Sequence, residues 1–227
     1  MKRICCLMVL LAALLCSGAL AEGDGPVQLA APVLTQLSHG DTIGQDLSAS
    51  FSFPEGTVMP YIEVGYMDPD LGFILSVWDQ DSQITALGFT LNQPGTYQVR
   101  AMAYSHEFWE EEPEDLADSE WTVCEFVLEN VELPVPELQL SVTQADWGTL
   151  TEGVSYTIPG AEAVTYQWYS ASLVTGEEMG GTNAPTWYTT GDTDTISPNV
   201  LSEPAYHHFI FWARFNGVWS YPIEDVI

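Results

Sequence analysis

The sequence predicts an all-β protein: two tandem β-sandwiches that follow a cleaved signal peptide. Runs rich in β-branched and aromatic residues recur from Asp46 to the last residues of the chain. Pro, Gly, Asn and Asp separate these runs at intervals of roughly ten residues, which is typical of an all-β sandwich. The stretch "ENVELPVPEL" (residues 129–138) lies between two full sets of strand-like runs and reads as a short, stiff linker, which indicates two domains.

Residues 1–21 are predicted to be a signal peptide with no part in the fold. Lys2 and Arg3 form a positive region, an apolar run follows, and Ala19 and Ala21 fit the small positions of an A-x-A cleavage site. The apolar run is too short to span a bilayer comfortably. We therefore expect a secreted or extracellular mature chain that does not insert into a membrane. It would be either freely secreted or the N-terminal piece of a longer cell-surface protein.

The charge balance is strongly acidic, with 4 basic and 32 acidic residues and a formal net charge of −28. Removal of Lys2 and Arg3 with the signal peptide takes the net charge from −28 to −30 and leaves Arg100 and Arg214 as the basic residues. This balance argues against nucleic-acid binding, because phosphate contacts need cations. It also argues against docking on an anionic membrane surface. A hydrophobic content of 46% nevertheless predicts a folded chain.

Cysteine usage excludes an intrachain disulfide, because three of the four cysteines lie in the signal peptide and only Cys124 remains. An exported protein without disulfides is more typical of bacteria than of animal secreted domains, so we expect a bacterial source. In "TVCEFVL", Cys124 shares one strand face with Phe126 and Leu128. We therefore interpret it as a small buried hydrophobe rather than as a nucleophile activated by a histidine.

Two segments repeat one pattern near the end of each half: "LNQPGTYQVRAMAYS" (residues 91–105) and "LSEPAYHHFIFWARF" (residues 201–215). Each has a leucine, a proline-containing turn, a tyrosine and an apolar run. In immunoglobulin-type sandwiches a tyrosine at the start of strand F folds back at the preceding corner, and its hydroxyl satisfies a backbone group there. Tyr97 and Tyr206 are the candidates for this tyrosine corner.

The first of these segments, together with "SEWTVCEFVLE", resembles the F and G strands of a fibronectin type III domain. "AVTYQWYSA", with Trp168 in the place of a buried strand-C tryptophan, and "ARFNGVWSYPIEDVI" look like the immunoglobulin-like repeats of bacterial surface proteins. The resemblance implies two immunoglobulin-like β-sandwiches. We place a fibronectin type III-like sandwich at residues 27–131, the linker at 132–137 and an immunoglobulin-like sandwich at 138–227.

Several aromatic residues are candidates for ligand binding. Phe108 and Trp109 stand among carboxylates in the run from His106 to Glu120, between the predicted F and G strands. They could form an aromatic anchor in an acidic rim, suited to a basic partner or a sugar. Alternatively, the run is a solvated hairpin loop whose aromatic rings pack back on the sheet. Trp187 also falls near a loop, whereas we predict that three other tryptophans lie in the core: Trp78, Trp168 and Trp212.

Three aspartate pairs lie in loop-like segments: Asp68 and Asp70, Asp79 and Asp81, and Asp192 and Asp194. Calcium binds several loop oxygens, so a structural calcium is one interpretation of these pairs. Aspartate is also a common turn residue, which is the other interpretation. We expect no other cofactor, because the adjacent His207 and His208 would point to opposite faces of a strand and could not easily ligate one metal.

These observations predict a non-catalytic extracellular binding, adhesion or spacer module whose partner is an extracellular protein or a glycan. One alternative is a carbohydrate-binding module, which would show a planar row of exposed aromatic rings. The other is a secreted enzyme, which would need a pocket joining Cys124 or paired carboxylates to a histidine. The sequence contains no nucleophile elbow, P-loop or dinucleotide fingerprint, so we expect that the protein is not an enzyme.

Overall fold

The structure is a computed structural model that describes residues 26–111, 113, 115–146, 149–173, 175, 178–181, 187–196 and 205–226. In these ranges the chain forms β-strands and one short 3-10 helix, Gly88–Thr90, which confirms the all-β prediction. No helix in the described ranges has the length and apolar character needed to cross a membrane.

The first half of the chain forms two antiparallel sheets. Its strands are β1 (Val27–Gln28), β2 (Val33–His39), β3 (Leu47–Ser52), β4 (Met59–Asp68), β5 (Gly72–Asp79), β6 (Gln83–Ala86), β7 (Gly95–Tyr104), β8 (Leu116–Ala117) and β9 (Thr122–Leu128). The sheet orders are β2-β3-β6 and β5-β4-β7-β9. β1 and β8 form a separate parallel pair beside these sheets.

Alternating apolar residues form the core of the first half. On β7, every second residue from Tyr97 to Ala103 is buried, while the residues between them are half-buried. Because successive side chains of a strand point to opposite faces, this alternation buries one face of each sheet against the other. The core includes Ile43, Leu47, Phe51, Ile62, Val64, Ile84, Leu91, Tyr97, Val99, Phe126 and Leu128.

The second half also forms two antiparallel sheets. Its strands are β10 (Gln139–Asp146), β11 (Thr149–Thr157), β12 (Ala163–Ser172), β13 (Glu178–Gly181), β14 (Trp187–Thr190), β15 (Thr193–Ile196), β16 (Ala205–Phe215), β17 (Val218–Trp219) and β18 (Ile223–Val226). One sheet has the order β10-β11-β15. In the other, β12 pairs with β13, β14 and β16, and β16 pairs with β17 and β18. Trp168 is buried in the core of this half, as predicted.

The tyrosine corner is present in the first half. The Tyr97 hydroxyl donates to the carbonyl oxygen of Gln93 at 3.1 Å, and the Gln93 backbone N–H approaches the same hydroxyl oxygen at 3.3 Å. The ring is buried and stacks on Phe126, with centroids 5.8 Å apart. The prediction for Tyr97 is therefore confirmed.

The corner prediction for Tyr206 is wrong, because its side chain is 55% exposed and its neighbour His207 is the buried residue. The spacing from Leu201 to Tyr206 is one residue shorter than the spacing from Leu91 to Tyr97. A shift of one position turns a strand residue to the opposite face of the sheet. Tyr206 therefore points away from the core.

The two halves meet around Asp46. Asp46 Oδ1 accepts hydrogen bonds from the Gly88 backbone N–H at 2.8 Å and from the Trp219 indole N–H at 2.6 Å. Asp46 Oδ2 forms an ion pair with Arg214 at 2.8 Å. The Phe89 ring packs against Trp219 at 5.4 Å between centroids. One carboxylate thus joins backbone and side-chain donors from both halves.

Trp212 belongs to this junction rather than to a core, which corrects the prediction. Its ring is half-buried and lies 5.1 Å from the ring of Phe89, between centroids. On β16 it occupies the alternate face from the buried residues Phe211 and Ala213.

Within the described ranges, each sheet takes its strands from one side of residues 129–138 only. The limits of the two domains stay a prediction.

Candidate binding surface

The outer face of sheet β5-β4-β7-β9 carries the candidate site. On β4, Ile62 and Val64 point into the core and are fully buried, so Tyr61 and Glu63 point outwards. The register places Glu63 opposite Arg100 on β7 and opposite Trp78 on β5. Trp78, Glu63 and Arg100 therefore lie side by side across three strands of the outer face.

Five rings on this surface form a cluster that we call the aromatic face: Tyr61, Trp78, Tyr104, Phe108 and Trp121. Tyr61 is at its centre, and its ring centroid lies 5.9 Å from Trp78, 5.8 Å from Tyr104, 5.4 Å from Phe108 and 6.2 Å from Trp121. These separations are typical of favourable aromatic pairs. Trp78 is 52% exposed and Phe108 is 49% exposed. The aromatic face is thus held by ring contacts and still presents two large rings to solvent.

Arg100 is fixed beside the aromatic face. Its Nη2 lies 2.6 Å from Glu63 Oε2, and its Nε donates to the same oxygen at 2.6 Å. The guanidinium carbon lies 3.6 Å from the ring centroid of Phe73 and 4.6 Å from that of Trp121. A guanidinium stacked between two rings and paired with a carboxylate is held in a single orientation. Arg100 therefore stabilises the surface, and its charge is already neutralised by the Glu63 carboxylate.

Two tyrosine hydroxyls of the aromatic face stay protonated at physiological pH. Burial, assisted by the hydrogen bond to Glu63 and the negative charge of that carboxylate, raises the pKa of Tyr61 to about 12. Burial also raises the pKa of Tyr104, and the nearby Asp118 carboxylate acts in the same direction. Both effects disfavour the phenolate. The hydroxyls are consequently neutral hydrogen-bonding groups and not candidate bases near neutral pH.

The structure brings two of the three predicted binding residues close to this surface. Phe108 packs edge-on against Tyr61 and Tyr104, as the hairpin interpretation requires, and remains half exposed. The next residue, Trp109, is 77% exposed, as the anchor interpretation requires. Trp187 lies on β14 in the other half, paired with Tyr166 of β12, and its side chain is outside the described residues.

Hydrogen bonds anchor the loop that presents Phe108 and Trp109. The Ser105 backbone N–H and hydroxyl donate to Asp118 Oδ1 at 2.7 and 2.9 Å. The Ser119 hydroxyl accepts the backbone N–H of Ala103 at 2.8 Å. Both ends of the loop are therefore held against the end of β7, next to the aromatic face.

The core prediction for Trp78 is wrong, and the register explains why. Trp78 stands opposite Glu63 on β4, whereas the core-facing Val77 stands opposite the buried Val64. Its indole therefore projects from the outer face. Tyr61 and Trp121 were not among the predicted site residues. Alternation in "YIEV" around the buried Ile62 indicated that Tyr61 points outwards, but no local signal showed which strands lie beside it.

Three of the four predicted calcium ligands in the first half accept backbone N–H groups in turns. Asp68 Oδ1 accepts the backbone N–H groups of Asp70 and Leu71, each at 2.8 Å. Asp79 Oδ1 accepts the N–H of Gln80 at 2.7 Å, and Asp81 Oδ1 accepts that of Ser82 at 2.5 Å. These are the bonds of aspartates in turns.

The remaining pair lies in the second half. Asp194 pairs with Tyr156 between β15 and β11, and the carbonyl oxygen of Asp192 accepts the N–H of Ile158 at 2.7 Å. Among the described residues, no three His, Cys, Asp or Glu side chains are grouped so that they could hold a metal ion. Structural calcium stays a prediction.

His106 borders the aromatic face, with its ring centroid 6.1 Å from that of Tyr104, whereas Cys124, His207 and His208 belong to other parts of the chain. Cys124 on β9 is half-buried, packs against the first core and stands opposite Val99. Its shared face with Phe126 and Leu128 is confirmed by their burial. His207 is buried with Nδ1 2.8 Å from Ser170 Oγ, whereas the adjacent His208 is only half-buried. The predicted opposite orientation of the two histidines is confirmed.

No family model and no curated protein sequence matches the chain. It is similar to the solved two-domain fibronectin type III segment of chicken tenascin, at 12% identity and a TM-score of 0.29, over 86% of this chain and 98% of that chain. It is also similar to the FN1-FN3 domains of chicken CNTN1, at 12% identity and a TM-score of 0.31, over 89% and 68% of the two chains. A third such structure is the BSP domain of a biofilm-associated protein, at 13% identity and a TM-score of 0.26, over 86% and 29%.

The TM-scores of these three structures lie below 0.5, so the description of the fold rests on the strand pairing itself. That pairing makes the chain an all-β protein of antiparallel sheets, as expected for β-sandwich repeats.

Proposed function

We propose that the chain is a non-catalytic extracellular binding module and that the aromatic face is its binding surface. The observation that carries this proposal is the exposure of Trp78 and Phe108 in one cluster of rings, with the next residue in the chain, Trp109, also exposed. Exposed aromatic residues grouped on one surface are typical of interaction sites. Because ring contacts already order Trp78 and Phe108, these two side chains lose little conformational entropy when a ligand covers them.

The chemistry of the aromatic face supports binding rather than catalysis. Arg100 is paired with Glu63, and the hydroxyls of Tyr61 and Tyr104 are neutral near pH 7. Cys124 belongs to the opposite, core-facing side of β9. The aromatic face therefore offers ring surfaces and neutral hydrogen-bonding groups to a ligand.

The geometry of the rings favours a polypeptide partner over a glycan. A flat row of rings would suit the flat face of a sugar. In the aromatic face, however, the plane of Tyr61 is inclined by 34° to Trp78, by 75° to Tyr104 and by 80° to Phe108. Edge-on rings form a surface of ridges and gaps, which suits side chains of differing shape.

The proposal is tested with the mature chain, residues 22–227, on a glycan array and on a displayed library of random peptides. Ligands selected by the parent chain are then titrated against Trp78→Ala and Phe108→Ala. We expect each substitution to weaken binding by about tenfold or more, which is typical of an aromatic hot spot.

The matched control is Tyr221→Ala, which removes an exposed ring from the other half of the chain. We expect it to bind like the parent. Equal weakening by all three substitutions would contradict the assignment of the surface, and so would the absence of any selected ligand from both collections.

A further inference from the structure

Strand β5 is an open sheet edge next to the aromatic face. In the part of the chain that the structure describes, it is the end strand of the order β5-β4-β7-β9. The segment from Leu71 to Trp78, "LGFILSVW", contains no charged residue and no proline. Its apolar side chains Leu71, Ile74 and Leu75 are exposed together with Trp78. Soluble proteins usually protect such edges with lysine, proline or a covering segment, because unpaired backbone groups invite another strand.

A register shift between Val64 and Gly65 interrupts the pairing of β4 with β5. On one side of the shift, Gly72 to Leu75 pair regularly with β4, and on the other side Val77 to Asp79 do so. The edge thus offers two short regular segments. The segment at Trp78 borders the aromatic face.

Carboxylates flank both ends of this apolar edge. Asp68 ends β4 and Asp70 lies in the turn before β5, whereas Asp79 ends β5 and Asp81 follows it. An antiparallel pairing of two copies through β5 would bring the carboxylates of one copy beside those of the other. Like charges disfavour that contact, whereas a strand with cations near both ends would complement them.

No unpaired arginine of the mature chain would repel such a cationic strand. The basic residues left after signal cleavage are Arg100 and Arg214, and each forms an ion pair with a carboxylate, Glu63 and Asp46 respectively. The negative field of the chain therefore attracts cationic polypeptides and repels acidic ones.

We infer that the open edge of β5 binds an extended, lysine- or arginine-bearing peptide by strand addition. The peptide backbone pairs with β5, its terminal cations meet the two aspartate pairs, and its outward side chains contact Trp78 and the aromatic face. This mode takes affinity from main-chain hydrogen bonds and specificity from alternate side chains. The inference rests on the proposed function and specifies its partner.

The test uses a synthetic peptide of about ten residues, the length that spans a strand such as β5. It carries a pair of lysines at each end and alternating valine and threonine between them. Hydrogen exchange of the mature chain is measured with and without this peptide in the presence of a chelator. We expect new protection of backbone amides in residues 72–79, because strand addition covers the outward N–H groups of β5.

Charge complementarity is tested by affinity. The variant D68N/D70N/D79N/D81N should bind the lysine peptide about tenfold more weakly, the sum of several modest surface ion pairs. The variant E132Q/E137Q/E224Q/D225N loses the same number of negative charges from exposed residues elsewhere and should bind like the parent. A peptide with glutamates in place of the lysines should not bind, and neither should a lysine peptide with central prolines.

The outcomes separate this inference from the proposed function. Binding of the lysine peptide that is lost in Trp78→Ala but leaves residues 72–79 unprotected would keep the aromatic face and overturn strand addition. Equal weakening by both four-residue charge variants would also overturn it. So would glycan binding without peptide binding, or protection of β5 caused by dimers of the chain alone. A failure of Trp78→Ala to affect any ligand would overturn the proposed function as well.

Discussion

The two halves place different residues at the same position of corresponding strands. β7 and β16 each bury four alternating residues, and the first of the four is Tyr97 in one half and His207 in the other. Tyr97 reaches back along its own chain to the Gln93 backbone. His207 meets Ser170 on the neighbouring strand β12. One half therefore secures the start of this strand by a local corner, and the other does so by a contact between two strands.

This difference follows from a single residue of spacing. Both halves carry a tyrosine after a proline-containing turn, but in the second half Tyr206 comes one position too early to face the core. Because strand faces alternate, the core position falls to the next residue in the chain. The comparison teaches that a motif of this kind depends on its phase relative to the strand and not on its residue types alone.

The largest expected effect is the difference in stability between removing the Tyr97 ring and removing the Tyr206 ring. Tyr97→Ala deletes a fully buried ring and should destabilise the first half by about 3–5 kcal/mol, whereas Tyr206→Ala deletes an exposed ring and should cost less than about 0.5 kcal/mol. Hydrogen exchange of β4 and β7, and of β12 and β16, reports the two halves separately. Similar losses for the two variants would show that the comparison is mistaken.

The junction is expected to give the next largest effect. Asp46→Ala removes the acceptor of the Trp219 indole N–H and the ion-pair partner of Arg214, and it should cost about 1–3 kcal/mol. Asp41→Ala, a substitution of an exposed aspartate a few residues away, is the control and should be nearly neutral. Thermal unfolding of both variants measures the difference, and an unchanged midpoint for Asp46→Ala would contradict this role.

Smaller changes sharpen the comparison between the corner and the cross-strand contact. Tyr97→Phe keeps the ring and removes only the hydroxyl that bonds to Gln93. Ser170→Ala removes the hydroxyl that lies beside His207. Each should cost about 1 kcal/mol, the usual worth of one hydrogen bond, in its own half. Urea denaturation of the two variants is the measurement, and a neutral Tyr97→Phe would show that ring burial alone secures the corner.

The effect that is smallest at neutral pH is a pH dependence at the aromatic face, which is expected only in alkaline solution. The folded pKa of Tyr61 is about 12, above the ordinary value of 10.0, so its contribution to stability is complete below pH 10 and is lost as the pH rises towards 12. Tyr61→Phe should remove this part of the decline. Denaturation midpoints at several alkaline pH values, with phenolate absorbance, measure the effect. An identical decline in the parent chain and Tyr61→Phe would contradict it.

The alternation of residues was enough to predict much of the fold. It predicted the strands and the buried face of β9 with Phe126 and Leu128. The proline-containing turn before Tyr97, compared with immunoglobulin-type sandwiches, predicted the corner there. These features are local, because each depends on a few residues near one another in the chain. The prediction that Trp168 is buried is confirmed, whereas the same prediction is wrong for Trp78 and Trp212.

Contacts between distant residues could not be predicted in this way. Trp78 lies outside the core because of its register against β4, which local composition does not determine. Trp212 packs at the junction because Phe89, far away in the sequence, lies opposite it. The aromatic face likewise depends on the order β5-β4-β7-β9, which brings Tyr61 between Trp78 and Tyr104.

The Asp46 junction has a mechanical consequence. To twist one half against the other, the load must pull the Trp219 indole from the Asp46 carboxylate and from the Phe89 ring in the same movement. Such a junction is stiff, unlike a flexible linker between two domains. A force on the far end of the second half would then be transmitted to the first half. The orientation of the aromatic face would therefore depend on what the second half is attached to.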